Sequence, residues 1–98
     1  MKLLSYADIM DQGISVFTCS AQILREKLVV NFRGEIRVEQ PYTYLSPFLE
    51  DLSTKLDSET ISQIELNFVE LKYCNSNGFY ALMDIIELIY KKVRGRVT

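Results

Sequence analysis

Between Ile64 and Tyr90 the apolar residues change their spacing from two to about three and a half across one short polar turn, Tyr73-Cys74-Asn75-Ser76-Asn77-Gly78-Phe79. Before the turn, Ile64, Leu66 and Phe68 alternate with Glu65 and Asn67, the mark of a strand with one covered face, and Leu71 and Tyr73 carry the apolar side onward. After it, Phe79, Leu82, Met83, Ile86, Ile89 and Tyr90 recur at helical spacing, which predicts an amphipathic helix with that stripe against a core. Asn77-Gly78 is a strong hairpin signal in isolation. The run that follows has a helical period, so the pair reads instead as a tight entry into the helix, with Gly78 permitting a close approach. A strand feeding a helix in this way sets one hydroxyl, that of Ser76, at a helix N-terminus. Backbone N–H groups lack partners there and the macrodipole favours negative charge. Ser76 is therefore either the helix N-cap or a position that can carry a phosphate.

The remaining segments predict a small α/β domain spanning residues 1–98. Ser5 to Gln12 reads as a short helix, with Ser5 as N-cap and Gly13 as stop. From Ser15 to Leu24, Phe17, Cys19, Ala21 and Ile23 alternate with mostly polar residues, and Leu28 to Phe32 resumes as a more apolar strand ended by Gly34. With the charged turn Arg25-Glu26-Lys27 between them, the two form an antiparallel hairpin. Tyr44, Leu45, Phe48, Leu49, Leu52 and Leu56 share one helical face; either Ser46 caps that helix with Pro47 at its first position, or the helix starts slightly earlier. Lys91 and Lys92 suit the end of the last helix and Gly95 its stop. The expected strand and helix order is β-β-α-β-α, in a mixed sheet with helices mainly on one face. Arg96-Val97-Thr98 reads like the start of a further strand. The expected fold then lacks a C-terminal β-α unit, or ends in a stub or an exchanged segment. A sheet edge left exposed in this way invites pairing with another chain, a second copy included.

Several classes of function find no support. With 11 basic and 13 acidic residues the net charge is -2, and no basic stripe interleaved with aromatics exists to follow a nucleic acid. There is no histidine and no Cys-x-x-Cys pair, so no metal site and no cofactor is expected. Cys19 and Cys74 read as reduced thiols packed as small hydrophobes, with a Cys19–Cys74 disulfide as the alternative. No catalytic residue is assigned. Ser76 lacks an activating base, and in a regular strand Glu65 and Glu70 point to opposite faces and form no acid/base pair. Asp8 and Asp11 interrupt the signal-like start Met1-Lys2-Leu3-Leu4, and no apolar run approaches the roughly 20 residues of a membrane span, so a cytoplasmic protein is expected.

Two blocks resemble the STAS domain, the fold shared by sulfate transporters and anti-sigma factor antagonists. Leu28-Val29-Val30-Asn31-Phe32-Arg33-Gly34-Glu35-Ile36 resembles that family's strand ending in Gly-Glu. Ile64 through Phe79 resembles its strand and switch turn, where a hydrophobic residue is followed by Asp-Ser-(Ser/Thr)-Gly-Leu. The resemblance covers about residues 15–98. It implies a non-enzymatic regulatory interaction module in which Ser76 is phosphorylated. The implied partner is a serine kinase or anti-sigma factor of the histidine-kinase-like ATPase fold, bound by the dephosphorylated form and released by the phosphorylated one. The implied docking surface is Asn75, Ser76, Asn77 and Gly78 with Phe79 and Tyr80. The switch motif diverges: Asn75 stands for the family's Asp, Asn77 for its second hydroxyl, and Phe79-Tyr80 for Leu and a small residue. The alternative is a STAS-like subunit docked constitutively in a transport or lipid-trafficking complex and never phosphorylated.

Overall fold

β1 (Lys2–Asp11) and β2 (Ile14–Leu24) are joined by a tight turn in which Gln12 and Gly13 both take positive φ, 53° and 78°. Two consecutive left-handed residues give the turn whose twist matches the flanking antiparallel strands. The computed structural model describes residues 2–94. A second turn, with Arg25 at φ 60°, leads into β3 (Lys27–Ile36), antiparallel to β2. Helix α1 (Tyr42–Leu56) crosses back, β4 (Gln63–Cys74) pairs parallel to β3, and α2 (Ser76–Arg94) follows directly. The sheet order is β1-β2-β3-β4, one antiparallel meander extended by a parallel strand. The α/β class, the mixed sheet and the single domain are as the sequence predicts. The readings of Gly95 and of Arg96-Val97-Thr98 lie outside the described residues.

One element differs in kind. Residues 5–11 are strand, not helix, and Gln12 belongs to the turn, so the order is β-β-β-α-β-α. Ser5 is no N-cap; it is buried, and its hydroxyl donates to Asp51 of α1 at 2.7 Å. Gly13 stops a strand rather than a helix. Ala7 and Ile9 turn inward two apart, as a half-buried strand requires, and a register shift between Leu3 and Ser5 hides the same period further up.

The predicted inward face of β2 holds, with Phe17, Cys19, Ala21 and Ile23 buried, and in β3 Leu28, Val30 and Phe32 are buried beside them. Opposed to them, Leu45, Phe48, Leu52 and Leu56 of α1 are buried at the predicted spacing. Each large side chain removed from water there stabilises by roughly 1.5–3 kcal/mol. Helix α1 begins earlier than Ser46, with Pro41 at its N-cap position and Pro47 inside. The opposite sheet face is polar, carrying Thr18, Ser20, Gln22, Asn31 and Arg33. Among the described residues no buried side-chain polar atom lacks a hydrogen-bond partner.

Helix α2 seats a stripe rotated from the predicted one. Leu82 and Ile89 are buried as expected, joined by Gly78, Ala81, Ile85 and Val93, whereas Phe79, Met83 and Tyr90 are exposed. Both stripes are apolar, and only the sheet and α1 decide which is covered. In β4, register shifts between Asn67 and Glu70 and between Leu71 and Tyr73 insert extra residues. Glu65 and Glu70 consequently both lie beside outward residues of β3, Val29 and Arg33, and not on opposite faces. Each has a cation, Lys27 at 2.7 Å and Arg33 at 2.8 Å. Inside the first shift, Asn67 Oδ1 accepts the Val69 N–H, and Phe68 stacks on buried Phe32 with ring centroids 4.9 Å apart.

Candidate functional site

The junction of β4 and α2 is anchored to the segment leaving β3. The Asn75 N–H donates to the Ile36 carbonyl at 3.0 Å, prolonging the parallel pairing one residue past the strand. Asn75 then serves both sides of the turn. Its Oδ1 accepts the Gly78 N–H at 2.8 Å, and its Nδ2 donates to the Val38 carbonyl at 3.0 Å. Asn77 Nδ2 donates to the Glu39 carbonyl at 2.9 Å. The helix cap is therefore Asn75, not Ser76. Gly78 is buried against Ile36, and a Cβ there would come within 2.9 Å of two Ile36 atoms. Absence of a side chain is what lets the first turn of α2 press onto the end of β3.

With capping done by Asn75, the Ser76 side chain is exposed, and its hydroxyl makes no hydrogen bond to a described residue. Ser76 occupies the first helical position. The first turn of α2 contains no acidic side chain, so the positive end of the helix dipole faces solvent uncompensated. Beside it, Cys74, Asn75, Ser76, Phe79 and Tyr80 line an open groove of about 300 Å³. Phe79 and Tyr80 are 52% and 60% exposed, with their rings edge-to-face. Four of the six residues expected to dock a partner, Asn75, Ser76, Phe79 and Tyr80, thus line one groove; Asn77 is exposed but bonded to Glu39, and Gly78 stands behind them as packing.

Two further side chains, neither assigned to the site from the sequence, fasten the elements around it. Arg37 lies over the Tyr73 ring at 4.1 Å from its centroid and holds Glu35 at 2.9 Å, a cation next to the turn. Tyr42 donates its hydroxyl to Asp84 at 2.6 Å, tying the start of α1 to α2. That bond, then desolvation and the Asp84 charge, push the Tyr42 hydroxyl above its ordinary value. Neither residue belongs to a periodic pattern that could have signalled it. A second depression, about 320 Å³ on the polar sheet face, includes Ser15, Thr18, Arg33, Glu70 and Lys72; its Arg33 is already engaged by Glu70.

Both thiols are unbridged: Cys19 is buried in the core and Cys74 is half-buried at the groove. Among the described residues no group of three or more His, Cys, Asp or Glu could hold a metal ion. No helix described is long and apolar enough to cross a membrane.

The model of the SiaC family of regulatory phosphoproteins matches residues 17–97. The chain belongs to the SiaC family. The match runs from within β2 through the β4–α2 turn and all of α2, so the groove at Ser76 lies inside it. Comparison with curated proteins and with solved structures found no match. Membership in the SiaC family makes this a regulatory protein of a phosphoprotein family, which is compatible with the STAS-like reading of the two sequence blocks.

Proposed function

We propose that this SiaC-family chain is a non-enzymatic, STAS-like interaction module of the anti-sigma factor antagonist type, switched by phosphorylation of Ser76. The observation that carries the reading is the division of labour at the turn. Asn75 caps α2, so the Ser76 hydroxyl is left exposed at the first helical position, beside exposed Phe79 and Tyr80. A phosphate on Ser76 would add about -1.5 to -2 charge at pH 7 to this docking surface. The dephosphorylated turn presents a neutral polar rim and two aromatic rings, suited to a protein partner. The phosphorylated turn repels an acidic or apolar counterpart and is released. The partner is a serine kinase or anti-sigma factor of the histidine-kinase-like ATPase fold, and the setting is cytoplasmic.

The constitutive alternative, a subunit docked permanently in a transport or lipid-trafficking complex, draws support from a different observation. Asn75 and Asn77 stitch the turn to the carbonyls of Val38 and Glu39, which makes it rigid with or without a phosphate. The two readings part on one experiment. The protein is incubated with lysate from its own source and ATP, Ser76 is examined by mass spectrometry, and co-purifying proteins are tested against Ser76→Asp and Ser76→Ala. Phosphate on Ser76 with loss of the partner from Ser76→Asp is the expected result. An unmodified Ser76, with Ser76→Asp binding normally and Phe79→Ala failing to bind, overturns the switch in favour of constitutive docking.

A further inference from the structure

We propose that two copies of this chain pair through their β4 edges, antiparallel about a two-fold axis passing between Phe68 and Val69, with the outer flanks of their α2 helices closing over the seam. Among the described residues no strand pairs with the outer edge of β4. That edge is long, contains no proline and exposes Phe68, Tyr73 and, at 83%, Val69. Pairing about the proposed axis sets Glu65 opposite Lys72 of the second copy, and by symmetry Lys72 opposite its Glu65. It also sets Leu66 opposite Leu71 and Phe68 opposite Val69, while Asn67 meets Glu70, so no like charges face one another. The first β4 bulge, at residues 68–69, lies on the axis itself.

The helix layer closes on the same axis. Around α2, Ala81 and Asp84 turn toward α1, where Tyr42 bonds Asp84, and the buried stripe turns toward the sheet. Phe79, Met83, Ile86 and Tyr90 fall on the remaining flank, above the β4 edge. Helix α1 covers β1, bonded to it by Lys55 to the Leu4 carbonyl and by Asp51 to Ser5, and α2 covers β3 and β4. The two helices thus stand about two strands, roughly 10 Å, apart. Joining β4 to a second β4 sets α2 and its symmetry mate at this same spacing, within ordinary helix-packing distance. Residues near the ends of α2 lie over the opposite ends of β4: Phe79 and Tyr80 beside Cys74, and Val93 and Arg94 beside Ile61 to Ile64. The axis through the middle of β4 therefore passes near the middle of α2, bringing Phe79 to Tyr90 and Met83 to Ile86 of the second copy. One operation covers an open strand edge and an exposed apolar stripe together. It also engages Phe79, so self-pairing excludes a partner at the Ser76 turn; that consequence alone rests on the function proposed above.

Analytical ultracentrifugation of the full chain over about 1–100 µM tests the pairing without reference to phosphorylation. The wild type is expected to approach twice its 11.4 kDa chain mass. Val69→Lys is expected to remain monomeric with an unchanged far-ultraviolet spectrum. Glu65→Lys and Lys72→Glu are each expected to weaken association about tenfold or more, and the double exchange Glu65→Lys/Lys72→Glu to restore it. A wild type that is monomeric across the range overturns the proposal and leaves the edge to a different chain. So does a dimer that neither Val69→Lys nor the charge exchange disturbs, since its interface is then elsewhere. If Val69→Lys fails to fold, the charge exchange decides alone.

Discussion

Asn75 and Gly78 close the start of α2 on each other: the amide oxygen of one accepts the backbone N–H of the other at 2.8 Å. The other half of the Asn75 amide donates to Val38, so a single side chain fastens strand, loop and helix. An aspartate could make the first bond but has no donor for the second. The asparagine that departs from the STAS pattern therefore has a structural role of its own here.

Asn75→Ala is expected to destabilise the fold by about 1–2 kcal/mol through loss of the cap and of the Val38 bond. Asn75→Asp keeps the cap but sets a carboxylate against the Val38 carbonyl, and is expected to fall between Asn75→Ala and wild type. Urea denaturation of the three proteins checks the ranking; equal midpoints would mean that the turn is held by other contacts.

Ser76 is expected to tolerate change. Ser76→Ala should alter stability by less than about 0.5 kcal/mol, as an exposed position with no bonded neighbour would. Ser76→Asp should gain about 0.3–1 kcal/mol from a negative charge at the helix N-terminus, and the gain should shrink in high salt. A loss of 1 kcal/mol or more (about the usual cost of removing a cap) in thermal melts of Ser76→Ala would return the capping role to the serine.

Two glycines bear unequal loads. At Gly34, with φ 98°, a Cβ would lie 2.1 Å from the Val16 carbonyl oxygen, a backbone atom that can move only with its strand. At Gly78 the obstacle is the Ile36 side chain, 2.7 Å away at its nearest atom. Gly34→Ala is expected to be the more damaging. Gly78→Ala should cost about 1–3 kcal/mol, the ordinary range for overpacking. Melting temperatures give the order directly, and the reverse order would show that the β2–β3 pair yields more easily than the α2 contact.

Acid should weaken the anchor between β1 and α1. The hydroxyl of Ser5, followed by Lys55, holds the Asp51 carboxyl below its ordinary value. A depressed folded-state value means stability present above the unfolded aspartate value and lost as pH falls through the folded one. The Asp51→Asn variant should therefore show a flatter stability curve below about pH 4 than wild type. Superimposable curves would remove Asp51 from the acid response.

The thiols should differ in reactivity. Burial pushes the Cys19 thiol far above its ordinary value and closes it to solvent. Cys74 lies half-buried in the groove beside Ser76. A thiol-specific reagent is expected to label Cys74 in the folded protein, and Cys19 only after denaturant is added. Rapid labelling of Cys19 under native conditions would show that the sheet core opens readily.

Much of this was legible because period and turn chemistry agree. Phe17, Cys19, Ala21 and Ile23 two apart, and Leu45, Phe48, Leu52 and Leu56 on one helical face, have a single burial solution each. The strand at residues 5–11 was missed because Gly13 suits a helix stop as well as a hairpin turn, and a register shift near Ser5 broke the alternation. The α2 stripe was placed too far round the helix because Leu82 and Ile89 are flanked by apolar residues on both sides, Phe79, Met83, Ile86 and Tyr90 on one and Ala81 and Ile85 on the other. Glu65 and Glu70 were set on opposite faces because bulges cannot be counted without the partner strand.

By itself the sequence determined the local choices: where strands alternate, where a helix must follow a strand, and that Ser76 stands at that junction. These depend on neighbours within a few residues, whose spacing is written in the chain. Only the tertiary structure decided which apolar face of α2 is covered, that Asn75 takes the cap, and that Ser76 is left exposed. The first depends on the sheet and α1; the other two depend on Ile36, Val38 and Glu39, about 40 positions away in sequence and brought to the turn by the parallel pairing of β3 with β4.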